Sequence, residues 1–137
     1  MKNSYYYNND GICTINFAYT QNAVVCYSDL IKVSVSLDKG EIVSVDCTGF
    51  LMNHKSRNVP GNILDEASAA NSISSMLKCK SSQTAFIPMS DGSEVFAYEF
   101  FCSDKSGNDV LVYIDAQTGK EADIQLLLYS DGGTLTR

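Results

Sequence analysis

The sequence is poor in the side chains that most often carry acid–base catalysis, since its 137 residues include a single histidine, His54. A catalytic centre needs a general base, a nucleophile or a set of metal ligands, and one histidine alone does not supply a triad. His54 is therefore predicted to be a loop or packing residue. The sequence also contains no EF-hand loop, P-loop or G-x-S-x-G motif.

Long apolar runs and an excess of basic residues are missing as well. No stretch approaches the roughly 18 consecutive apolar residues of a membrane-spanning helix, and residues 1–10 lack the apolar core of a secretion signal. Basic residues number 10 against 16 acidic ones, which gives a net charge of −6. Because an acidic chain repels polyanions, nucleic acid and anionic membrane surfaces are not expected partners. Whether a membrane anchor lies upstream of Met1 stays open.

The cysteines form no C-x-x-C pair and are odd in number, which argues against a zinc knuckle or a complete disulfide framework. They are predicted to be small buried hydrophobic residues, because free cysteine is among the most often buried residue types. A functional thiol is the alternative, and it would need a neighbouring base. The five are Cys13, Cys26, Cys47, Cys79 and Cys102.

The remaining composition is that of a globular chain. Its 45% hydrophobic residues can bury a core in one domain or in two small packed units. Apolar and polar residues alternate over 12–20 and again over 29–37, which predicts two half-buried strands. The turn sequence at 38–40 ends in glycine, and a return strand is predicted over 41–52. These elements predict an antiparallel meander.

A loop and then a helix are predicted in the middle of the chain. Residues 53–61 are polar and end in Pro-Gly, so they are predicted to be a loop. An amphipathic helix is predicted over about 62–79, with Asn62 as its cap and Asp65 as the capping-box partner. The predicted apolar face comprises Leu64, Ala67, Ala70, Ile73 and Leu77.

The two strand-rich halves of the chain match each other at an offset of 79 residues, without a gap. Val33 aligns with Val112, and the turn glycine Gly40 aligns with Gly119. The match predicts an internal repeat in which the helix precedes the second copy and the counterpart for the first copy would lie upstream of Met1. The strands predicted in the second copy cover 84–89, 94–102, 110–116 and 122–129.

The predicted fold class is therefore α+β, with two antiparallel meanders and one amphipathic helix packed on a sheet. Residues 1–10 are predicted to be a flexible tail, 11–58 the strand half of a first unit, and 59–137 a complete helix-plus-meander unit. A linker that is ordered only in a longer protein is the alternative for the tail. An exposed meander edge is also predicted, which could bind a partner by strand addition or form a homodimer.

Several stretches carry a resemblance to a known family. Residues 112–120 read VYIDAQTGK, and this hairpin after a helix and meander resembles the PepSY domain. A longer set comprises TINFAY at 14–19, CYSDLIKV at 26–33, GEIV at 40–43, TGFLMNHKSR at 48–57 and GTLT at 133–136. Together they resemble the C-terminal PepSY-repeat region of YpeB-like spore germination proteins, over about residues 10–137.

This resemblance implies a non-catalytic role without a cofactor. YpeB-like proteins are membrane-anchored at the outer face of the inner spore membrane and work with a spore cortex-lytic enzyme. The implied function is a protein-binding or regulatory module that supports the stability, localisation or restraint of that enzyme. PepSY modules also occur in propeptides of secreted metallopeptidases, so an inhibitor of a peptidase is the alternative.

The candidate partner-binding residues are His54, Lys55, Arg57 and Tyr98. The first three form a basic cluster that is conspicuous in an acidic chain and could steer association with an acidic partner. Tyr98 could anchor an interface, although its alignment with Tyr19 in the repeat favours a core position. A peptidoglycan hydrolase built on two carboxylates about 5–9.5 Å apart is a further alternative. No catalytic residue and no metal ligand is predicted.

Overall fold

The structure, a computed structural model, describes residues 1–136, without the side chains of residues 3, 4, 135 and 136. The described chain is mostly β-sheet and divides into two compact units, one formed by Met1–Ser56 with Leu128–Leu135 and the other by Arg57–Leu127. Its elements are β1 (Lys2–Asn9), β2 (Ile12–Gln21), β3 (Val24–Ser36), β4 (Ile42–Asp46), α1 (Thr48–Asn53), α2 (Glu66–Ala70), β5 (Lys78–Pro88), β6 (Glu94–Ser103), β7 (Asp109–Asp115), β8 (Glu121–Ser130) and β9 (Gly133–Thr136).

The first unit is an antiparallel sheet in the order β4-β3-β2-β1-β9. Two-residue turns join its first three strands, and the residues in these turns take positive φ values, as hairpin turns of this length require. Asn22 and Ala23 form the β2–β3 turn with φ of 50° and 68°. The predicted flexible tail is wrong for residues 2–9, because they form β1 and pair with β2 along their length.

The predicted return strand also ends earlier than expected. It stops at Asp46, whose side-chain Oδ1 accepts a hydrogen bond from the Thr48 amide at 2.9 Å. The helix α1 follows, in a segment that was predicted to be the end of the strand and the start of the loop. Gly49 lets α1 approach β3, because a Cβ at this position would lie 3.0 Å from the Leu30 carbonyl oxygen. The short helix therefore packs directly on the backbone of β3.

The second unit is an antiparallel sheet in the order β5-β6-β7-β8. Its core lies on β6 and β7, where apolar side chains from opposed positions meet on one face. The buried members of this face are Phe96, Tyr98, Phe100, Cys102, Val110, Val112 and Ile114. The positions of β6 and β7 agree with the strands predicted over 94–102 and 110–116.

The helix predicted over about 62–79 is wrong in extent, since α2 covers only Glu66–Ala70. Asp65, and not Asn62, caps it by accepting a hydrogen bond from the Ser68 amide at 2.7 Å. Serines after the helix make hydrogen bonds outside the helical pattern: the Ser72 hydroxyl donates to the carbonyl of Gly119, 47 positions away, and the Ser74 hydroxyl accepts from the Met76 amide. From residue 78 the chain is already in β5.

Two of the five cysteines form a disulfide, so the prediction of five small buried hydrophobic residues is wrong for this pair. Cys79 of β5 lies directly opposite Cys102 of β6, with Cα atoms 3.8 Å apart, and their sulfurs are bonded. Cys79 is exposed and Cys102 is buried. Cys26 is buried, as predicted for a small hydrophobic residue, and its thiol donates to the Val24 carbonyl at 3.8 Å, while Cys13 and Cys47 are half-buried.

The β3–β4 and β7–β8 hairpins match residue for residue at the offset of 79. Val33 pairs with Val45 in the first, and Val112 pairs with Ile124 in the second. Both ladders shift register at the same point, between Ser34 and Val35 and between Tyr113 and Ile114, and both turns use a glycine with positive φ. The sequence offset therefore corresponds to equal backbone geometry in these hairpins.

Asp104 closes the turn between β6 and β7, and its hydrogen bonds indicate that the stability of the fold depends on pH. Hydrogen bonds from the Asn108 side chain and amide and from the turn amides hold the pKa of Asp104 below its usual 3.8. A carboxyl group with a lowered pKa stabilises the fold at a pH above its pKa in the unfolded chain. This stabilisation is lost as the pH falls through its pKa in the folded chain. Asp104→Ala is therefore expected to lower the free energy of unfolding at neutral pH and to have no effect on it in acid.

Chemical unfolding between about pH 2 and pH 7 measures this dependence for the wild-type chain and for Asp104→Ala. Asp131→Ala, at another exposed turn carboxylate, is the matched control. An Asp104→Ala effect that stays constant over the whole pH range would contradict the prediction.

Candidate functional site

His54 follows the last residue of α1, and its ring packs against aromatic side chains of the first unit. Its backbone amide donates to the Phe50 carbonyl at 2.9 Å, and its ring stacks on the Phe50 ring at 4.3 Å between centroids. The Tyr19 ring meets the imidazole edge-on at 4.7 Å. His54 Nδ1 lies 2.9 Å from Oδ2 of Asp29, whose side chain is fully buried. His54, predicted to be a loop or packing residue, thus packs on aromatic rings and has a carboxylate partner.

Asp29 owes its position to an irregularity in β3. The β2–β3 ladder pairs Ala18 with Leu30 but Tyr19 with Cys26, so the residues between Cys26 and Leu30 bulge out of the ladder. Bulges re-aim side chains, and here the bulge directs a carboxylate towards His54. The pair fixes the ring orientation of His54 and turns Nε2 away from Asp29.

Lys55 and Arg57 differ sharply in environment, although two positions separate them. Lys55 is exposed. The Arg57 guanidinium is buried in the second unit, where it donates two hydrogen bonds of 2.8 Å to the carboxylate of Glu94 and lies 5.9 Å from the Phe86 ring centroid. Arg57 therefore adds no exposed charge to the predicted basic cluster, and its side chain holds the fold together.

Tyr98 is also engaged internally. Its side chain is buried in the second unit, and its hydroxyl donates to the Leu64 carbonyl at 2.8 Å. This contact ties the segment before α2 to β6. The partner-binding role given to His54, Lys55, Arg57 and Tyr98 stays a prediction, and Lys55 with the exposed edge of His54 is the part of it that a partner can reach.

An open cavity of about 430 Å³ lies in the second unit beside the disulfide. Its walls include Ile73 and Leu77 from the segment after α2 and Phe100 from β6. Lys80 lines the rim and pairs with Asp109 at 2.9 Å. Glu66 is the carboxylate among the lining residues, so the cavity does not bring two carboxylates together.

Residues 1–136 contain no group of three or more histidine, cysteine, aspartate or glutamate side chains arranged to hold a metal ion. Within the same residues, no helix has the length and hydrophobicity needed to cross a membrane.

The first part of the chain matches a known family of protein domains. Residues 1–60 match the family model described as YpeB sporulation, PepSY1 and PepSY2 domains. The match covers β1 to β4 and α1, the elements of the first unit that precede residue 57. This part of the chain is therefore similar to the PepSY1 and PepSY2 domains of YpeB.

The particular relatives are proteins named sporulation protein YpeB. The chain is 30% identical over 118 residues to the one from Oceanobacillus iheyensis, 31% identical over 118 residues to that from Halalkalibacterium halodurans, and 29% identical over 119 residues to that from Bacillus subtilis. These matches cover 85–86% of this chain and 26% of each relative. The chain is thus similar to YpeB proteins over most of its own length, and it spans about a quarter of the length of these relatives.

A solved structure supports the same conclusion for the fold. The Bacillus megaterium YpeB C-terminal domain matches with a TM-score of 0.81 and 25% identity, over 90% of this chain and 55% of that domain. The predicted resemblance to the YpeB C-terminal region is confirmed. An α+β fold dominated by sheet agrees with this match.

Proposed function

We propose that this chain is a non-catalytic protein-binding and regulatory module of a YpeB-like sporulation protein, acting in spore germination by supporting the stability, localisation or restraint of a spore cortex-lytic enzyme. The observation that supports the proposal is the similarity to YpeB proteins over 86% of the chain, together with the match to the YpeB C-terminal domain. The cortex-lytic enzyme is proposed as the partner because the family resemblance implies it.

Most polar groups of the candidate site are engaged inside the fold, which leaves the exposed surface around Lys55 for recognition. The polar groups of Asp29, Arg57 and Tyr98 are occupied with His54, Glu94 and the Leu64 carbonyl. Groups with such roles stabilise the fold, and they leave recognition to the surface. In this proposal a spore cortex-lytic enzyme binds the exposed surface around Lys55, where a positive charge stands out in an acidic chain.

The same proposal includes the organisation of the longer protein. Two PepSY-like units stand in tandem, the first represented here by its strands, and the matching β3–β4 and β7–β8 hairpins support this arrangement. A segment upstream anchors the protein at the outer face of the inner spore membrane, where the cortex-lytic enzyme meets its substrate.

Calorimetric titration of the chain against the cortex-lytic enzyme of the same organism tests the proposal, with cortex hydrolysis followed in parallel. Saturable binding and altered hydrolysis are expected. Lys55→Glu is expected to weaken binding about tenfold, because reversing one interfacial charge typically costs on the order of 1 kcal/mol or more. Lys39→Glu, at an exposed lysine in the β3–β4 turn, is the matched control.

Three outcomes would contradict the proposal in different ways. Absence of binding at high micromolar concentration would move the contact to another part of the longer protein. Slow cleavage of the chain with tight inhibition of a peptidase would favour the inhibitor function. Release of cortex fragments by the chain alone would show that it is a hydrolase.

A further inference from the structure

The disulfide of the second unit joins an exposed cysteine to a buried one. Cys79 is exposed, whereas Cys102 has 0% of its surface exposed. A thiolate that opens a disulfide has to reach one of the two sulfurs, so access decides which sulfur is attacked. The side of the bridge that faces solvent is Cys79. Attack on the folded chain is therefore directed to the Cys79 sulfur.

Two lysines flank Cys79 and place positive charge beside it, in a chain whose net charge is −6. Lys78 is exposed. The Lys80 ammonium is also exposed and lies 2.9 Å from Oδ1 of Asp109. Positively charged neighbours stabilise a thiolate, both the one that approaches and the one that leaves. These surroundings favour thiol–disulfide exchange at Cys79.

The bridge lies at the end of the β5–β6 ladder, beyond a bulge. Two residue pairs, Lys78–Ser103 and Cys79–Cys102, come before the register shift, and eight pairs follow it without interruption. A bulge disrupts the ladder locally and leaves its extra residue unpaired. The disulfide is therefore the covalent tie of a short strand end that has two residue pairs of its own.

The cavity of about 430 Å³ has Cys79 in its wall. Ile73 and Leu77, which precede the strand end in the chain, line the same cavity together with Phe100 of β6. Phe100 is 3% exposed, so the wall in front of it keeps its ring from water. Displacement of the strand end would widen the cavity and expose apolar side chains.

We propose that Cys79 is a thiol–disulfide exchange site for a dithiol reductant, and that reduction of the bridge in the folded chain releases the start of β5 and widens the cavity. In the first step a thiolate of the reductant bonds to the Cys79 sulfur, and the Cys79–Cys102 bond breaks. Its electron pair leaves on the Cys102 sulfur, which takes a proton from water. This inference does not depend on the proposed role towards a cortex-lytic enzyme.

The second step explains why the reductant is a dithiol. Cys102 stays opposite Cys79 in the ladder, so its sulfur attacks the mixed disulfide and re-forms the bridge. The second thiolate of a dithiol competes with this return by attacking the reductant's own bonded sulfur. Cys79 then leaves as a thiolate and takes a proton. The products are two cysteine thiols and the oxidised, cyclic reductant, after transfer of two electrons and two protons.

Reduction kinetics distinguish exchange in the folded chain from exchange after unfolding. Cys13 and Cys47 are first blocked with iodoacetamide, dithiothreitol is added, and the reduced fraction is followed by mass spectrometry. Arg57→Ala removes a buried ion pair of the second unit, so reduction through unfolding would be roughly a hundredfold faster in this variant or more. The proposal predicts rates equal within about twofold, because exchange then needs no unfolding. A hundredfold acceleration would overturn it.

A second measurement applies if Arg57→Ala does not fold. The wild-type reduction rate is measured in urea concentrations below the unfolding transition, and a nearly constant rate is expected. A rate that rises steeply with urea would overturn the proposal, since it indicates reduction through unfolding. With 2-mercaptoethanol at the same thiol concentration, the reduced fraction is expected to be at least about tenfold smaller. Equal reduction by the monothiol would contradict the second step.

Hydrogen exchange measures the release of the strand end. After reduction, the amides of residues 77–80 are expected to exchange at least about tenfold faster, whereas those of residues 84–87, beyond the bulge in β5, keep their rates. The variant Cys79→Ala, Cys102→Ala is the control and should show the fast exchange without reductant. Unchanged exchange at residues 77–80 in the reduced chain would overturn the proposed release.

Discussion

Arg57→Ala is expected to lower the free energy of unfolding of the second unit by about 3–5 kcal/mol, because it removes one partner of a buried ion pair. The guanidinium makes two parallel hydrogen bonds of 2.8 Å to Glu94, and both side chains are largely shielded from water. The substitution also removes a cation that lies over the Phe86 ring. Denaturant unfolding followed by circular dichroism measures the change.

Two further variants distinguish the contribution of the ion pair to stability from the contribution of side-chain packing. Arg57→Lys keeps the charge but loses the two-pronged geometry, so an intermediate loss of stability is expected. The double variant Arg57→Met, Glu94→Leu is expected to recover most of the stability, since apolar side chains can replace a buried pair without leaving a charge behind. A double variant as unstable as Arg57→Ala would refute this explanation.

Reduction of the Cys79–Cys102 disulfide is expected to cost about 3 kcal/mol of stability, because the bond closes a loop between residues 23 positions apart and so restricts the unfolded chain. It also ties the start of β5 to the end of β6, next to the 430 Å³ cavity. Thermal unfolding with and without a dithiol reductant measures the effect as a lowered Tm.

The double variant Cys79→Ala, Cys102→Ala should have the lowered Tm of the reduced chain even without reductant. Its Tm should not change when reductant is added. Cys47→Ser, at a half-buried free thiol, is the control and should keep the full response. Five reactive thiols in the unfolded, non-reduced chain would show that the disulfide is absent, since the chain has five cysteines.

Strands were easier to predict than helices in this chain. The alternation over 12–20 and 29–37 corresponds to parts of β2 and β3, because alternation reflects the pleat itself. It did not reveal which face would be buried: Thr14 and Asn16 are buried while Ile15 is half-buried. Burial depends on what packs against the sheet, and the sequence pattern of one strand does not contain that information.

The helix prediction over 62–79 failed because of hydrogen bonds outside the helical pattern. Apolar residues at helical spacing are present, but the Ser72 hydroxyl donates to the carbonyl of Gly119, 47 positions away, and the Ser74 hydroxyl accepts from the Met76 amide. The opposed cysteine of β6 also draws residue 79 into a strand. Neither effect is visible from periodicity.

The polar pairs were not predictable because their partners are distant in the sequence. His54 and Arg57 were singled out as a basic cluster, whereas Asp29 lies 25 positions from His54 and Glu94 lies 37 positions from Arg57. A carboxylate at a strand start resembles many others in an acidic chain. The family resemblance was nevertheless detectable, since it depends on short ordered stretches of sequence and not on contacts.

The last described strand has a consequence for the integrity of the chain. Residues Leu128–Leu135 belong to the first unit, where the Asn8 amide donates to the Gly132 carbonyl, so the chain leaves that unit at Ser56 and later returns to it. A protease that cut after the exposed Lys55 would break one peptide bond and would leave the returning strand held in the sheet by hydrogen bonds. The two fragments would remain one particle until the first unit itself unfolded.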